Sequence, residues 1–482
     1  MPTPKQARLT PQTLGALRAG VETPAYDRSA TQVGIVHFGP GAFHRGHQAW
    51  YVDTLLKRDP RWAICAAELR PPGLAAALIP QERLYVVAEL DAQIRFRVIG
   101  SMKEYLLASQ DDDRIFARLI QPQVKLVTLT ITEKGYCLAG DELDLQHPDV
   151  IHDLAHPTTP RSAIGWVTEG LVRRRAEGAA PFVAISCDNV VGNGHKFRSA
   201  VMGMAKARGD KDLESWIAGE VRFPCTMVDS ITPATDDALK QKVAESVGLY
   251  DDSPVQREAF LQWVIEDILG PDAPDLASVG ASLTNDVEAY EQAKIRLLNG
   301  AHSTLAYAGL LAGHTSVGEA MGDARLAGFV ARMMREDITP TLRGTRGLEF
   351  ESYINDILQR FRNPALTHRL YQIASDGSQK LPYRILGTII DALAAGRPIR
   401  RLAVPVAAWM TFVVREAKEG RPLNDPLAKV LADVGKGCVG KSGTDLPRFL
   451  AVRDVFSADL ATEPKFVSAV GAAYEGLDAF LD

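Results

Sequence analysis

The chain has 482 residues, 46% of them hydrophobic and 23% charged, with a formal net charge of −5. That length exceeds what one hydrophobic core usually supports, so two domains are expected, and the ordinary composition excludes a disordered, collagenous or coiled-coil chain. The negative balance argues against nonspecific nucleic-acid binding, and no apolar run nears the ~20 residues that span a bilayer.

The opening residues, Met1-Pro-Thr-Pro-Lys-Gln-Ala-Arg, lack a signal-peptide core, so a cytoplasmic protein is expected. After this polar lead-in, Val33-Gly-Ile-Val-His-Phe predicts a short buried strand. It runs into Gly39-Pro-Gly-Ala-Phe-His-Arg-Gly-His and then a helix from Gln48. Trp62–Ala67 predicts a second strand ending at Glu68, with further strands over 84–88, 94–99, 124–131 and 181–187. Helices over 162–175 and 196–208 separate the later ones, so a mostly parallel, doubly wound α/β sheet of Rossmann type is expected. Beyond about Leu283 the strand signals fade. Helical periodicity over 287–312, 324–335, 348–361 and 401–416 predicts a mainly α-helical second domain, dividing the chain into 1–283 and 284–482. Five cysteines (Cys65, Cys137, Cys187, Cys225, Cys438) are scattered singly and read as reduced packing residues.

Strand, glycine turn and helix together make a cradle for a dinucleotide pyrophosphate, where free N–H groups and the helix dipole favour negative charge. Gly39 suits the tight turn and Gly41 the close approach of backbone to phosphate. The third glycine of G-x-G-x-x-G is absent, and His44 stands in its place. Glu68 is placed to accept hydrogen bonds from the adenosine ribose and to repel a 2′-phosphate, which favours NAD over NADP. Arg45 could pair with a phosphate of either cofactor. An ordinary βα turn followed by a surface carboxylate would carry the same residues.

The stretch Lys294-Ile-Arg-Leu-Leu-Asn-Gly-Ala-His302 crowds an amine, a carboxamide and an imidazole into one helical segment. At about 100° per residue Lys294 and His302 fall some 80° apart, with Asn299 about 60° beyond, so all three can border one cleft. A lysine at its ordinary pKa of ~10.4 is a poor base at neutral pH, and burial or nearby positive charge brings it into a working range. The same residues also read as a solvated lysine, a kink at Asn299-Gly300 and a buried histidine.

Six motifs occur in order: Gly39-Pro-Gly-Ala-Phe-His-Arg-Gly-His-Gln, Leu129-Thr-Ile-Thr-Glu-Lys-Gly-Tyr, Ser186-Cys-Asp-Asn, Phe223-Pro-Cys-Thr-Met-Val-Asp, Lys294-x4-Asn-Gly-x-His and Asp376-Gly-Ser-Gln-Lys-Leu-Pro. Through them the chain resembles, over nearly its whole length, the polyol-specific long-chain dehydrogenases. The resemblance implies an N-terminal Rossmann-type domain, a helical C-terminal domain, and metal-independent exchange of hydride between a secondary alcohol and a ketone. It makes Lys294 the general acid/base, Asn189 and Asn299 the hydrogen-bond donors to the reacting oxygen, and His302 the residue that orients substrate and lysine. It adds Phe43 to the cofactor set and places Asp229 and Lys380 in the substrate pocket.

Within that family, Lys134, the Cys225-Thr226 pair, Arg296, His368-Arg369 and Gln379-Lys380-Leu381-Pro382 resemble fructuronate reductases more than mannitol dehydrogenases. A sugar acid needs a cationic partner that a hexitol does not. Lys134 and Arg369 are the favoured partners, because Arg296 lies about 160° around a regular helix from Lys294. The expected reaction is the NAD(H)-dependent interconversion of D-mannonate and D-fructuronate. Three alternatives stay open: a mannitol 2-dehydrogenase, a non-catalytic NAD(H)-binding sensor, and a zinc enzyme using His44 and His47. The sequence leaves the oligomeric state, monomer or dimer, open.

Overall fold

In the computed structural model, which describes residues 6–70, 73–366 and 368–481, the chain divides into two units, one reaching Glu288 and one beginning at Ala289. Five parallel strands organise the first: β1 (Val33–Phe38), β2 (Ala63–Glu68), β3 (Met102–Leu107), β4 (Leu126–Leu129) and β5 (Val183–Ser186). Their spatial order is β3-β2-β1-β4-β5, so the winding reverses between β1 and β4, the switch point of a Rossmann-type sheet. Every residue of β1 is buried, as expected where both faces of a parallel sheet are covered. Alternate side chains serve opposite faces. Val36, Phe38, Val127 and Leu129 meet Trp166 and Phe197, from helices Ala163–Ala176 and Asn193–Ala207. Ile35, Ile64 and Leu126 pack with Tyr51, Val52 and Leu55 of helix Gln48–Leu55. Full burial of one such side chain contributes about 1.5–3 kcal/mol, so these two layers outweigh local propensity in fixing the sheet.

The strands expected over 84–88 and 94–99 form as Tyr85–Leu90 and Arg95–Ile99, but outside the main sheet. They pair antiparallel with each other, and Val255–Glu258 joins them in parallel. The short link between them permits a hairpin, whereas parallel pairing needs a crossover of a dozen or more residues. β3 was not expected from the sequence. It is an edge strand, pairing only with β2, so Lys103 and Glu104 interrupt its apolar pattern. A third small sheet joins Thr226–Asp229, Gln262–Glu266 and Ser282–Thr284.

Beyond Thr284 every described helix or strand is helical. Helix Arg400–Lys418 buries Leu402, Val406, Trp409 and Val413, and packs against helices Gly300–Leu311 and Pro464–Glu475. Tyr307 and Phe412 bring their rings to 5.5 Å across the first of these contacts. Three stretches are wound as π-helix: Lys294–Asn299, Met333–Ile338 and Pro382–Leu386. The regular helix expected over 287–312 is therefore two α segments, Val287–Ala293 and Gly300–Leu311, joined by a wider turn. No described helix is long and apolar enough to cross a membrane.

Candidate functional site

In the first unit a cleft of about 1290 Å³ opens at the carboxyl ends of β1, β2 and β4. Gly39, Gly41, Arg45, Glu68, Tyr105, Thr130 and Lys134 all contribute to its walls. Gly39 leaves β1 at φ +88°, and a Cβ there would stand 2.2 Å from the Thr130 carbonyl oxygen, so both backbone and space require glycine. Gly41 donates its N–H to the Gly39 carbonyl at 2.7 Å and precedes the short helix Ala42–Gly46. A Cβ at Gly41 would meet nothing nearer than 3.9 Å, which leaves the approach to that helix open.

Helix therefore starts inside the stretch read as a turn, breaks at His47 and resumes at Gln48. His44 replaces the third glycine by a flat contact. Its imidazole stacks on His37 of β1, with ring centroids 3.4 Å apart and planes 8° from parallel. Burial pushes the His37 imidazole down to about 3 and that of His44 well below its ordinary value. His37 is held between Thr128 Oγ1 at 2.7 Å and Thr130 Oγ1 at 3.0 Å. His47 places Nε2 2.9 Å from the Gln262 carbonyl. Among the described residues no three His, Cys, Asp or Glu side chains gather as a metal-binding group.

Phe43 is half-buried and stacks on His47 with centroids 4.9 Å apart. Arg45 is buried, donates from Nη1 to the Ser253 carbonyl at 2.5 Å, and lies over the Tyr85 ring. Its buried Nε has no hydrogen-bond partner among the described residues. Glu68, at the end of β2, accepts hydrogen bonds from the Leu74 N–H at 3.1 Å and the Tyr105 hydroxyl at 2.9 Å. A Cβ on Gly73 would overlap its carboxylate, at 0.9 Å from Oε1. Gly73 and Tyr105 were not singled out in the sequence. Their only signal is position, since neither belongs to a glycine fingerprint. Two donors leave lone pairs on Glu68 for two ribose hydroxyls.

Lys134 is exposed on the short turn Glu133–Tyr136. Asp188 fixes that turn by accepting from the Ile131 and Thr132 N–H groups at 3.2 and 2.8 Å and from the Tyr136 hydroxyl at 2.7 Å. Asn189 follows directly and is exposed in the bend after β5. Asn193 braces the same bend, donating to the Asp188 carbonyl at 3.0 Å and the Thr226 carbonyl at 2.9 Å. Asp229 is buried at the end of its strand, opposite Gln262.

In the second unit Lys294 opens the π-wound turn and is 7% exposed. Asn299 closes that turn, and both Asn299 and His302 are half-buried. The His302 ring lies 4.4 Å from that of Phe361 and 5.8 Å, edge-on, from His368. Burial lowers the His368 pKa, and its enclosed Nε2 has no hydrogen-bond partner among the described residues. The cations nominated for a substrate carboxylate have divergent surroundings. Arg296 is bound to Asp391 at 2.5 Å and to Thr341 Oγ1 at 3.1 Å. Lys380 donates to the Ser375 carbonyl at 2.6 Å and lies 3.8 Å from Asp376, and burial lowers its pKa. Arg369 is exposed at the start of helix Leu370–Ile373.

Two family models match the chain: the mannitol dehydrogenase Rossmann domain over residues 33–277 and the mannitol dehydrogenase C-terminal domain over 286–478. D-mannonate oxidoreductase of Escherichia coli K12 is 41% identical over 466 residues, covering 95% of this chain and 96% of the relative. A ternary complex of Pseudomonas fluorescens mannitol 2-dehydrogenase with NAD and D-mannitol is similar at 35% identity with a TM-score of 0.80, over 98% of each chain. Substrate-free D-sorbitol dehydrogenase is similar at 33% identity and a TM-score of 0.88, over 98% of this chain and 100% of that one.

Proposed function

The chain belongs to the mannitol dehydrogenase family of oxidoreductases, and from that premise we propose that it interconverts D-mannonate and D-fructuronate using NAD(H). The observation that carries the choice of substrate is the 41% identity to D-mannonate oxidoreductase along 95% of the chain. In this reading residues 1–283 form the dinucleotide-binding domain, and residues 284–482 form the domain that carries Lys294, Asn299, His302 and Lys380. Five buried free cysteines fit a reducing, cytoplasmic setting.

The cleft of the first unit suits a dinucleotide. Gly39 makes a turn closed to any Cβ, Gly41 leaves the approach to helix Ala42–Gly46 open, and Glu68 offers acceptors for the adenosine ribose. NAD bound there supplies the hydride acceptor of the oxidation. Lys294 takes the hydroxyl proton on Nζ as the carbinol becomes a ketone, and returns it in reduction. At 7% exposure that amine is kept out of bulk water, and a general acid/base works best when its proton is exchanged with the substrate and not with solvent. Asn189 and Asn299 donate hydrogen bonds to the substrate oxygen as it gains negative charge. His302, wedged against Phe361, orients the substrate beside Lys294. Asp229 and Lys380 shape the pocket, and no proton or hydride step requires a metal.

Steady-state kinetics on D-mannonate and D-mannitol with NAD⁺ and NADP⁺ test the reading. It expects the largest kcat/KM for D-mannonate with NAD⁺, unchanged after treatment with a chelator. A larger kcat/KM for D-mannitol assigns the chain to the hexitol branch. Activity lost to the chelator and restored by zinc overturns the metal-independent mechanism.

A further inference from the structure

Most cations around the π-wound turns of the second unit face a carboxylate. Arg296 meets Asp391, Lys380 meets Asp376, and Arg401 meets Glu336 and Asp337. Arg384, in the stretch Pro382–Leu386, does not. Its Nη1 lies 3.1 Å from Ser303 Oγ and 3.5 Å from the Asn299 carbonyl, and no described carboxylate forms an ion pair with it. Its Nε and Nη2 donate to no described group, and neither is sealed away from solvent. The stretch carrying it presses against the segment that bears Lys294 and Asn299. A Cβ on Gly300 would stand 3.0 Å from the Arg384 carbonyl oxygen.

A half-buried guanidinium without a counter-ion is poised for a carboxylate ligand, because its fork of donors matches both carboxylate oxygens and charge-assisted bonds strengthen away from water. Burial lowers the Arg384 pKa. The cations favoured from sequence serve this purpose less well. Lys134 belongs to the dinucleotide cleft of the first unit, and Arg369 is exposed at a helix start.

We infer that Arg384 binds the carboxylate of the sugar-acid substrate and so sets the preference for aldonates over neutral polyols. The inference rests on the sugar-acid reading above. In D-mannonate the carboxylate lies several carbons from the carbinol that reacts, so the cation that holds it is a different group from the base, and Arg384 lies against the Asn299 backbone of the same segment.

The test compares D-mannonate with its neutral analogue D-mannonamide in the full-length enzyme, wild type and Arg384→Met, with saturating NAD⁺. The wild type is expected to favour the acid by at least about 100-fold in kcat/KM, and Arg384→Met to shrink that ratio below about 5-fold, mainly through KM. General damage lowers both substrates together and leaves the ratio in place, so an unchanged ratio overturns the assignment. Should Arg384→Met fail to fold, Arg384→Lys gives the same readout, with an intermediate ratio expected and the wild-type ratio contradicting. A wild type that turns over D-mannitol but not D-mannonate refutes the sugar-acid reading itself. A wild type active on D-mannonate whose ratio survives at Arg384→Met refutes only the role of Arg384.

Discussion

At Glu68 two donors and a vacant volume hold one carboxylate: the Leu74 N–H, the Tyr105 hydroxyl, and the space where Gly73 has no side chain. Gly73→Ala should displace the carboxylate and weaken NAD⁺ binding about tenfold, the cost of one charge-assisted hydrogen bond, in a fluorescence titration. Glu68→Ser should instead narrow the preference for NAD⁺ over NADP⁺ by removing the repulsion of a 2′-phosphate, and an unchanged ratio would contradict that role. His37 makes a different prediction. Its folded pKa of about 3 lies below the unfolded ~6.5, so it contributes stability above about pH 6.5 that is lost as pH falls toward 3. By pH 5 that loss amounts to roughly 2 kcal/mol for this one group. Urea midpoints measured from pH 7 to pH 5 should drop in the wild type and drop less in His37→Asn. Equal slopes would mean that some other group dominates the acid response.

The segment Val287–Leu311 shows how an element can be legible in outline and hidden in detail. Apolar periodicity marks a helix there, and a helix forms. Periodicity cannot separate i→i+4 from i→i+5 winding over six residues, because the difference moves each side chain by only part of a turn. The angles assigned on a regular 100° spacing therefore shift through Lys294–Asn299, and Arg296 is found with Asp391 and Thr341. π turns are rare and recur at functional sites. Gly300 lets this one lie against Pro382–Leu386, and Gly300→Val should clash with the Arg384 carbonyl and cost roughly 1–3 kcal/mol. A thermal midpoint within 1 °C of wild type would show that the contact relaxes freely. Strands were lost for a related reason. β3 is an edge strand with a mixed pattern, whereas the fully buried β1 was plain in the sequence.

Over the whole chain, the doubly wound first half and helical second half followed from the switch in hydrophobic period near Leu283, and the six motifs carried the family. The side-sheet partnerships did not follow, since pairing of Tyr85–Leu90 with Val255–Glu258 joins residues far apart in sequence. Arg384 escaped notice because an unpaired cation is defined by which carboxylates fail to reach it, and that requires coordinates. Single-turnover oxidation of D-mannonate by NAD⁺-loaded enzyme, wild type against Lys294→Ala, measures the proton chemistry most directly. The predicted result is a loss of roughly 10²–10⁴ in the rate of NADH formation, with NAD⁺ affinity retained and the residual rate rising with pH as hydroxide replaces the missing base. A variant that forms NADH at the wild-type rate would contradict it.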